Sequence, residues 1–131
     1  MKRICLLLLI LCITACSPGL KSNPVHSFGE THKEFAKRLV WKDYGSAASF
    51  MGKEYRQDFL DKFQERGDIR VLEIRPEGVE FEDPDQNRAL AWSRIEYYRL
   101  PSNTLKDLKL RLEWENRDNG WKIVSPFPDL P

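Results

Sequence analysis

The chain has 131 residues, 41% of them hydrophobic and 31% charged, enough apolar material for one domain of about 100 residues to bury its own core. Its 21 Lys and Arg nearly cancel its 20 Asp and Glu, and without Lys2 and Arg3 the balance is one negative charge, so no basic excess supports nucleic-acid binding. The three cysteines are Cys5, Cys12 and Cys16, which leaves the rest of the chain without a thiol for a disulfide or a cysteine-rich zinc site.

Lys2 and Arg3 precede an apolar stretch at residues 4–13, broken only by Cys5 and Cys12, and small Ala15 stands just before Cys16. A positive start, an apolar run and a small-residue cut site form a secretory leader. The run is too short for a lasting membrane span, which needs about 20 apolar residues. The four residues Ile13-Thr14-Ala15-Cys16 resemble the lipobox of bacterial lipoproteins. The resemblance implies cleavage before Cys16, acyl chains (palmitate among them) on that cysteine, and a membrane anchor outside the cytoplasm. Ser17, where an Asp would favour inner-membrane retention, implies the periplasmic face of the outer membrane. Several acyl chains anchor firmly where one binds only marginally. The expected organisation is a signal peptide at 1–15, the lipidated cysteine and a flexible tether at 16–29, and a single domain at 30–131. Residues 17–29 are rich in Pro, Gly, Ser and Asn and could reach about 45 Å when extended.

Residues 31–43 read as a helix, with Thr31 as N-cap, Glu34 completing a capping box, and Phe35, Leu39 and Val40 on one face. Residues 46–51 read as a short second helix. Residues 53–66 read as a third, with Tyr55, Phe59, Leu60 and Phe63 at helical spacing and Gly67 as its stop.

After Gly67 the hydrophobic period changes to two. Residues 69–82, 88–100, 104–116 and 121–127 read as strands, separated by turns at 83–87, 101–104 and 118–120. Asn119-Gly120 is a strong hairpin signal, because both residues tolerate positive φ. With Ser102-Asn103 and Asn119-Gly120 at the hairpin tips, Glu96 stands opposite Lys109. One face then carries no charge: Val79, Phe81, Ala89, Ala91, Ser93, Ile95 and Tyr97, continued by Leu108, Leu110, Leu112, Trp114, Trp121, Ile123, Ser125 and Phe127. The other face is charged. The expected fold class is α+β, with three N-terminal helices packed on a curved four-stranded antiparallel sheet.

Short helices followed by such a sheet, ending in Asp118-Asn119-Gly120-Trp121-Lys122-Ile123-Val124-Ser125, resemble the nuclear-transport-factor-two-like (cystatin-like) superfamily over residues 31–127. The resemblance implies a cone-shaped sheet with a cup beneath the helices, and a range of functions from isomerases to binding domains.

Isomerases of that superfamily place a carboxylate in the cup, whereas this sheet supplies Ser93, Tyr97, Trp114 and Trp121, with no Asp, Glu or His. His26 and His32 flank the tether and the first helical turn, away from a Ser-His-Asp arrangement. Asp83, Asp85 and Asn87 imitate a calcium loop, but Arg88 and Arg94 replace its glycine and its glutamate, so the segment is a turn. Residues 45–53 lack the spacing and the Ser or Thr of a phosphate loop. No metal or cofactor is expected. Two surfaces remain: the cup (Ser93, Tyr97, Trp114, Trp121), which takes a small apolar ligand if the helices leave room but reads first as a filled core, because aromatic stripes usually pack, and the charged face at Leu90, Trp92, Tyr98 and Leu100 for a second copy or an envelope protein. The reading is a non-catalytic binding or assembly module anchored through Cys16. The alternative is a small-molecule-binding or vestigial isomerase-like domain using the cup.

Overall fold

The computed structural model describes residues 24–131, so the expected leader, Cys16 and the start of the expected tether lie outside the described residues. Helix α1 spans Pro24–Val40, starting about two turns before the sequence pattern predicts and ending three residues before it. Pro24 suits a first helical position, where its missing N–H costs nothing. Phe28, His32, Phe35 and Leu39 recur at four-, three- and four-residue steps and are all buried. Residues 24–29, expected as part of the tether, are the first turns of this helix. Thr31 is not an N-cap: its hydroxyl donates to the Ser27 carbonyl at 2.8 Å, one turn back. Glu34 accepts from Arg38 at 2.7 Å instead of closing a capping box. The helix ends where Lys42 turns left-handed (φ 63°), with Asp43 N donating to Arg38 O and Lys42 N to Leu39 O.

Helix α2 (Tyr44–Ala48) is capped by Asp43, whose carboxylate accepts from Ser46 N at 3.4 Å. Helix α3 (Lys53–Leu60) continues into a π-helical turn at Asp61–Glu65, and Gly67 at φ 63° stops it. Four strands follow: β1 (Ile69–Phe81), β2 (Arg88–Arg99), β3 (Lys106–Arg117) and β4 (Gly120–Ile123), paired antiparallel in the order β1-β2-β3-β4. The architecture is thus α+β, three N-terminal helices against a curved, open four-stranded antiparallel sheet.

The register differs from the expected one by two residues at both hairpins. Glu96 faces Asp107, and Lys109 faces Arg94. The loop before β3 is wider than a two-residue turn, with the Ser102 hydroxyl accepting from Thr104 N at 3.1 Å. In the last hairpin Arg117 pairs with Gly120, so the tip is Asp118-Asn119, and positive φ falls on Gly120, just after the turn. A one-residue slip would have turned every side chain over, but a two-residue shift preserves both faces. Ala89, Ala91, Ser93, Ile95, Tyr97, Leu110, Leu112, Trp114, Trp121 and Ile123 are accordingly buried. The like-charged cross-strand neighbours are relieved diagonally: Arg94 lies 3.2 Å from Asp107 and 2.8 Å from Glu77.

The two edges of the sheet are unlike. Along β4, Gly52 N donates to Ile123 O at 2.8 Å and Ile123 N to Phe50 O at 2.7 Å, so the link between α2 and α3 pairs with that edge. Gly52 permits the approach, since a Cβ there would stand 3.2 Å from Ile123 O. Edge strand β1 instead carries bulges after Val71 and after Pro76. The two bulges bring Ile74, Pro76, Val79 and Phe81 into register with the uncharged face of β2.

Candidate functional site

The expected cup is filled. Trp114 sits at its centre, met edge-on by Phe28 and Phe35 at 5.5 and 5.7 Å. Trp121 is buried, and its Nε1 donates to Ser27 Oγ at 3.0 Å, so the helical turn that precedes the expected helix start holds this indole. The last residues close the other end. Phe127 packs on Phe59 and Phe63, and Leu130 joins the core. The buried Tyr97 hydroxyl donates to Pro131 O at 2.8 Å, and burial raises its pKa. Lys62 and Arg99 donate to the carbonyls of Phe127 and Leu130 at 2.6 and 2.9 Å. The last residues thus seal the mouth beneath Tyr97. Among the described residues, one polar side-chain atom inside the cup is left over: Trp114 Nε1 is buried without a hydrogen-bond partner.

Open space lies elsewhere, between α1 and β1. A groove of about 680 Å³ runs along one side of the helix, over the inner face of β1, and round its edge to Trp92. Phe28, Ala36 and Val40 line it from the helix, and Ile74, Val79 and Phe81 from the strand. Its walls are apolar side chains left uncovered: Trp41 is 76% exposed, Leu72 and Val79 each 44%. A Cβ added at Gly29 would meet nothing within 4 Å, so the helix presents almost no bulk there. At Gly78 the strand backbone lets the Trp92 indole approach, the imagined Cβ lying 3.8 Å from its Cε3.

His32 forms part of the inner wall of this groove, where the sequence had placed it on the first turn of a helix beside a tether. Its Nε2 and Ser93 Oγ are 3.0 Å apart, and both residues are buried. Burial lowers the pKa of His32 below the ordinary histidine value, which favours the neutral ring. The spacing is that of a nucleophile and its base. No carboxylate orients the ring among the described residues, and Ser93 is only 3% exposed, so the pair satisfies two polar groups at the edge of the core.

On the outer face, Leu90 is buried, Trp92 and Tyr98 are half-buried, and Leu100 is exposed. Trp92 alone of these four lines the groove. Around them Arg88 pairs with Glu115 at 3.8 Å and Arg111 with Glu113 at 3.6 Å, so much of the charge on that face is matched within the sheet. In the turn before β2, Asp83 Oδ1 accepts from Asn87 N and Arg88 N at 2.8 and 2.9 Å, a purely structural use of that carboxylate. Among the described residues no three His, Cys, Asp or Glu side chains gather as a metal-ligating group.

Sequence reasoning missed His32 and the groove. The steps from Phe28 through His32 to Phe35 and Leu39 were the available signal, masked by Gly29 and the polar composition around it. No family model matches the chain, and no curated protein matches it significantly. Among solved structures it is similar to the solution structure of a SEC-C motif containing protein from Rhodopseudomonas palustris, at 14% identity and a TM-score of 0.53. The similarity covers 79% of this chain and 86% of that one, and what the two chains share is the fold.

Proposed function

We propose that this chain is a lipoprotein of the outer membrane, tethered through Cys16 at the periplasmic face, whose nuclear-transport-factor-two-like domain is a non-catalytic binding module. One observation carries the binding half: the cup is packed shut, while an apolar groove of about 680 Å³ stands open between α1 and β1. That size lies within the roughly 300–1,000 Å³ typical of ligand pockets, and the apolar lining matches their chemistry. His32 at its inner wall and the buried Ser93 behind it lack, among the described residues, the carboxylate that would make them a catalytic set. The groove is favoured over the outer sheet face because Leu90 is buried there and the neighbouring charges are paired. The lipobox and Ser17 support the address.

Two substitutions test the two halves. Cys16→Ser should remove the label from cells fed radioactive palmitate, and equal labelling of both chains would defeat the anchor. Ala36→Trp should fill the groove. Photoreactive hexadecanol, a neutral apolar probe, should crosslink to α1 and β1 peptides of the native chain and lose those crosslinks in the variant. Crosslinking that ignores Ala36→Trp would place binding elsewhere.

A further inference from the structure

The groove has a charge as well as a shape. Lys33 and Lys37 line it from α1, and four-residue spacing puts them on the same side of the helix as Gly29 and Ala36. Lys37 has a distant partner, Glu34 at 4.0 Å, whereas Lys33 makes no ion pair among the described residues. The one acidic lining residue, Glu73, is matched by Arg75 at 3.5 Å, outside the lining. The rim of an apolar trough therefore carries unmatched positive charge on its helical side.

The strand side decides between two kinds of extended occupant. A peptide would add to the edge of β1 through backbone hydrogen bonds, which require a regular ladder of free N–H and C=O groups. Two bulges interrupt β1, and Pro76 between them has no N–H to offer. Glu73, Arg75, Glu77 and Glu80 add charges along the same edge. An alkyl chain needs none of those hydrogen bonds and asks only for apolar walls.

We infer that the groove binds a free long-chain fatty-acid anion, its alkyl chain lying along Phe28, Ala36, Val40, Ile74, Val79 and Phe81 and its carboxylate held by Lys33 and Lys37. The inference deepens the proposed function and rests on the groove being the binding site. His32 contributes a polar but uncharged patch to the inner wall, which the chain can pass without meeting a buried charge. Trp41, mostly exposed beside the trough, gains a contact surface when the chain is present.

The test uses the purified full chain in phosphatidylcholine vesicles with two diazirine probes of equal length, palmitate and hexadecanol, read by mass spectrometry of the crosslinked peptides. Palmitate should label peptides of α1 and β1, and unlabelled palmitate should compete. Reversing the charge with Lys33→Glu and Lys37→Glu should lower palmitate labelling several-fold and leave hexadecanol labelling unchanged. Lys33→Arg with Lys37→Arg should retain both, and equal melting midpoints for all variants exclude misfolding. If the reversed pair melts early, Lys33→Gln with Lys37→Gln takes its place, with a smaller fall expected. Palmitate labelling indifferent to the rim charge, with hexadecanol still in the groove, overturns the fatty-acid assignment and leaves the binding reading standing. Absence of both probes from the groove overturns both.

Discussion

The two ends of the same apolar sheet face have opposite fates. Over β2 to β4 the inward side chains include Tyr97, Trp114 and Trp121, and α1, α3 and the last residues press rings into every gap between them. Over β1 beyond the buried Ile69 and Val71, the inward residues are Ile74, Pro76, Val79 and Phe81, and the helix opposite them offers Gly29 and Ala36. Large side chains on both sides close the first region, and small ones on one side leave the second open. In a molecule whose hydrophobic pattern is continuous across the sheet, residue volume rather than hydrophobicity locates the cavity.

The widest separation between the regions should appear in stability. Trp114→Ala removes a ring from the closed side and should cost about 3–5 kcal/mol, measured by denaturant unfolding. Trp41→Ala removes an equally large ring from the groove side, and should stay within about 0.5 kcal/mol because that ring is mostly in water. Equal losses would mean that the groove is core in solution.

The sheet edges provide a smaller contrast. Gly52→Ala would push a methyl to 3.2 Å from Ile123 O, where the link between helices pairs with β4. A cost of about 1–3 kcal/mol is expected there. Gly78→Ala on β1 meets only ordinary contact with Trp92, and its change should be slight, within about 0.5 kcal/mol. Thermal melts of the two variants side by side check the ordering, and a larger loss at Gly78 would reverse the roles of the two edges.

The smallest effect is a pH dependence at the boundary between the regions. Burial lowers the pKa of His32 in the folded chain, while the unfolded chain takes up the proton near the ordinary value of about 6.5. Between these two values the unfolded state holds more protons, so stability rises with pH. The contribution of the neutral ring is complete above pH of about 6.5 and is lost as the pH falls towards the folded value. His32→Gln should flatten that limb of the stability profile. An unchanged acid limb in the variant would assign the dependence to the carboxylates.

Much of this architecture was legible. The change of period at Gly67, the helical spacing of Phe59 and Phe63, and the alternation through residues 88–97 identified three helices, four strands and the buried face of the sheet. The start of α1 was not legible, because Pro24, Ser27 and Gly29 have the composition of a linker, and only the burial of Phe28 against Trp114 and Trp121 makes that segment helical. His32 was misplaced for the same reason. That the cup is filled was the favoured reading of its aromatic stripe, but the return of Leu130 to it from the last residues was hidden.

By itself the sequence determined which residues share a face, because strand periodicity is a local property and survives a shift of two residues. It also carried the Ile13-Thr14-Ala15-Cys16 run that resembles a lipobox and the small residues of α1, on which the proposals of anchor and groove depend. Tertiary structure decided the register, where loop width and the positive φ at Gly120 moved both hairpins by two residues. It decided the open side as well. Whether an apolar face is covered depends on what arrives opposite it from elsewhere in the chain, and the volumes of Ala36, Gly29 and Trp114 acquire meaning only once the helix lies across the sheet.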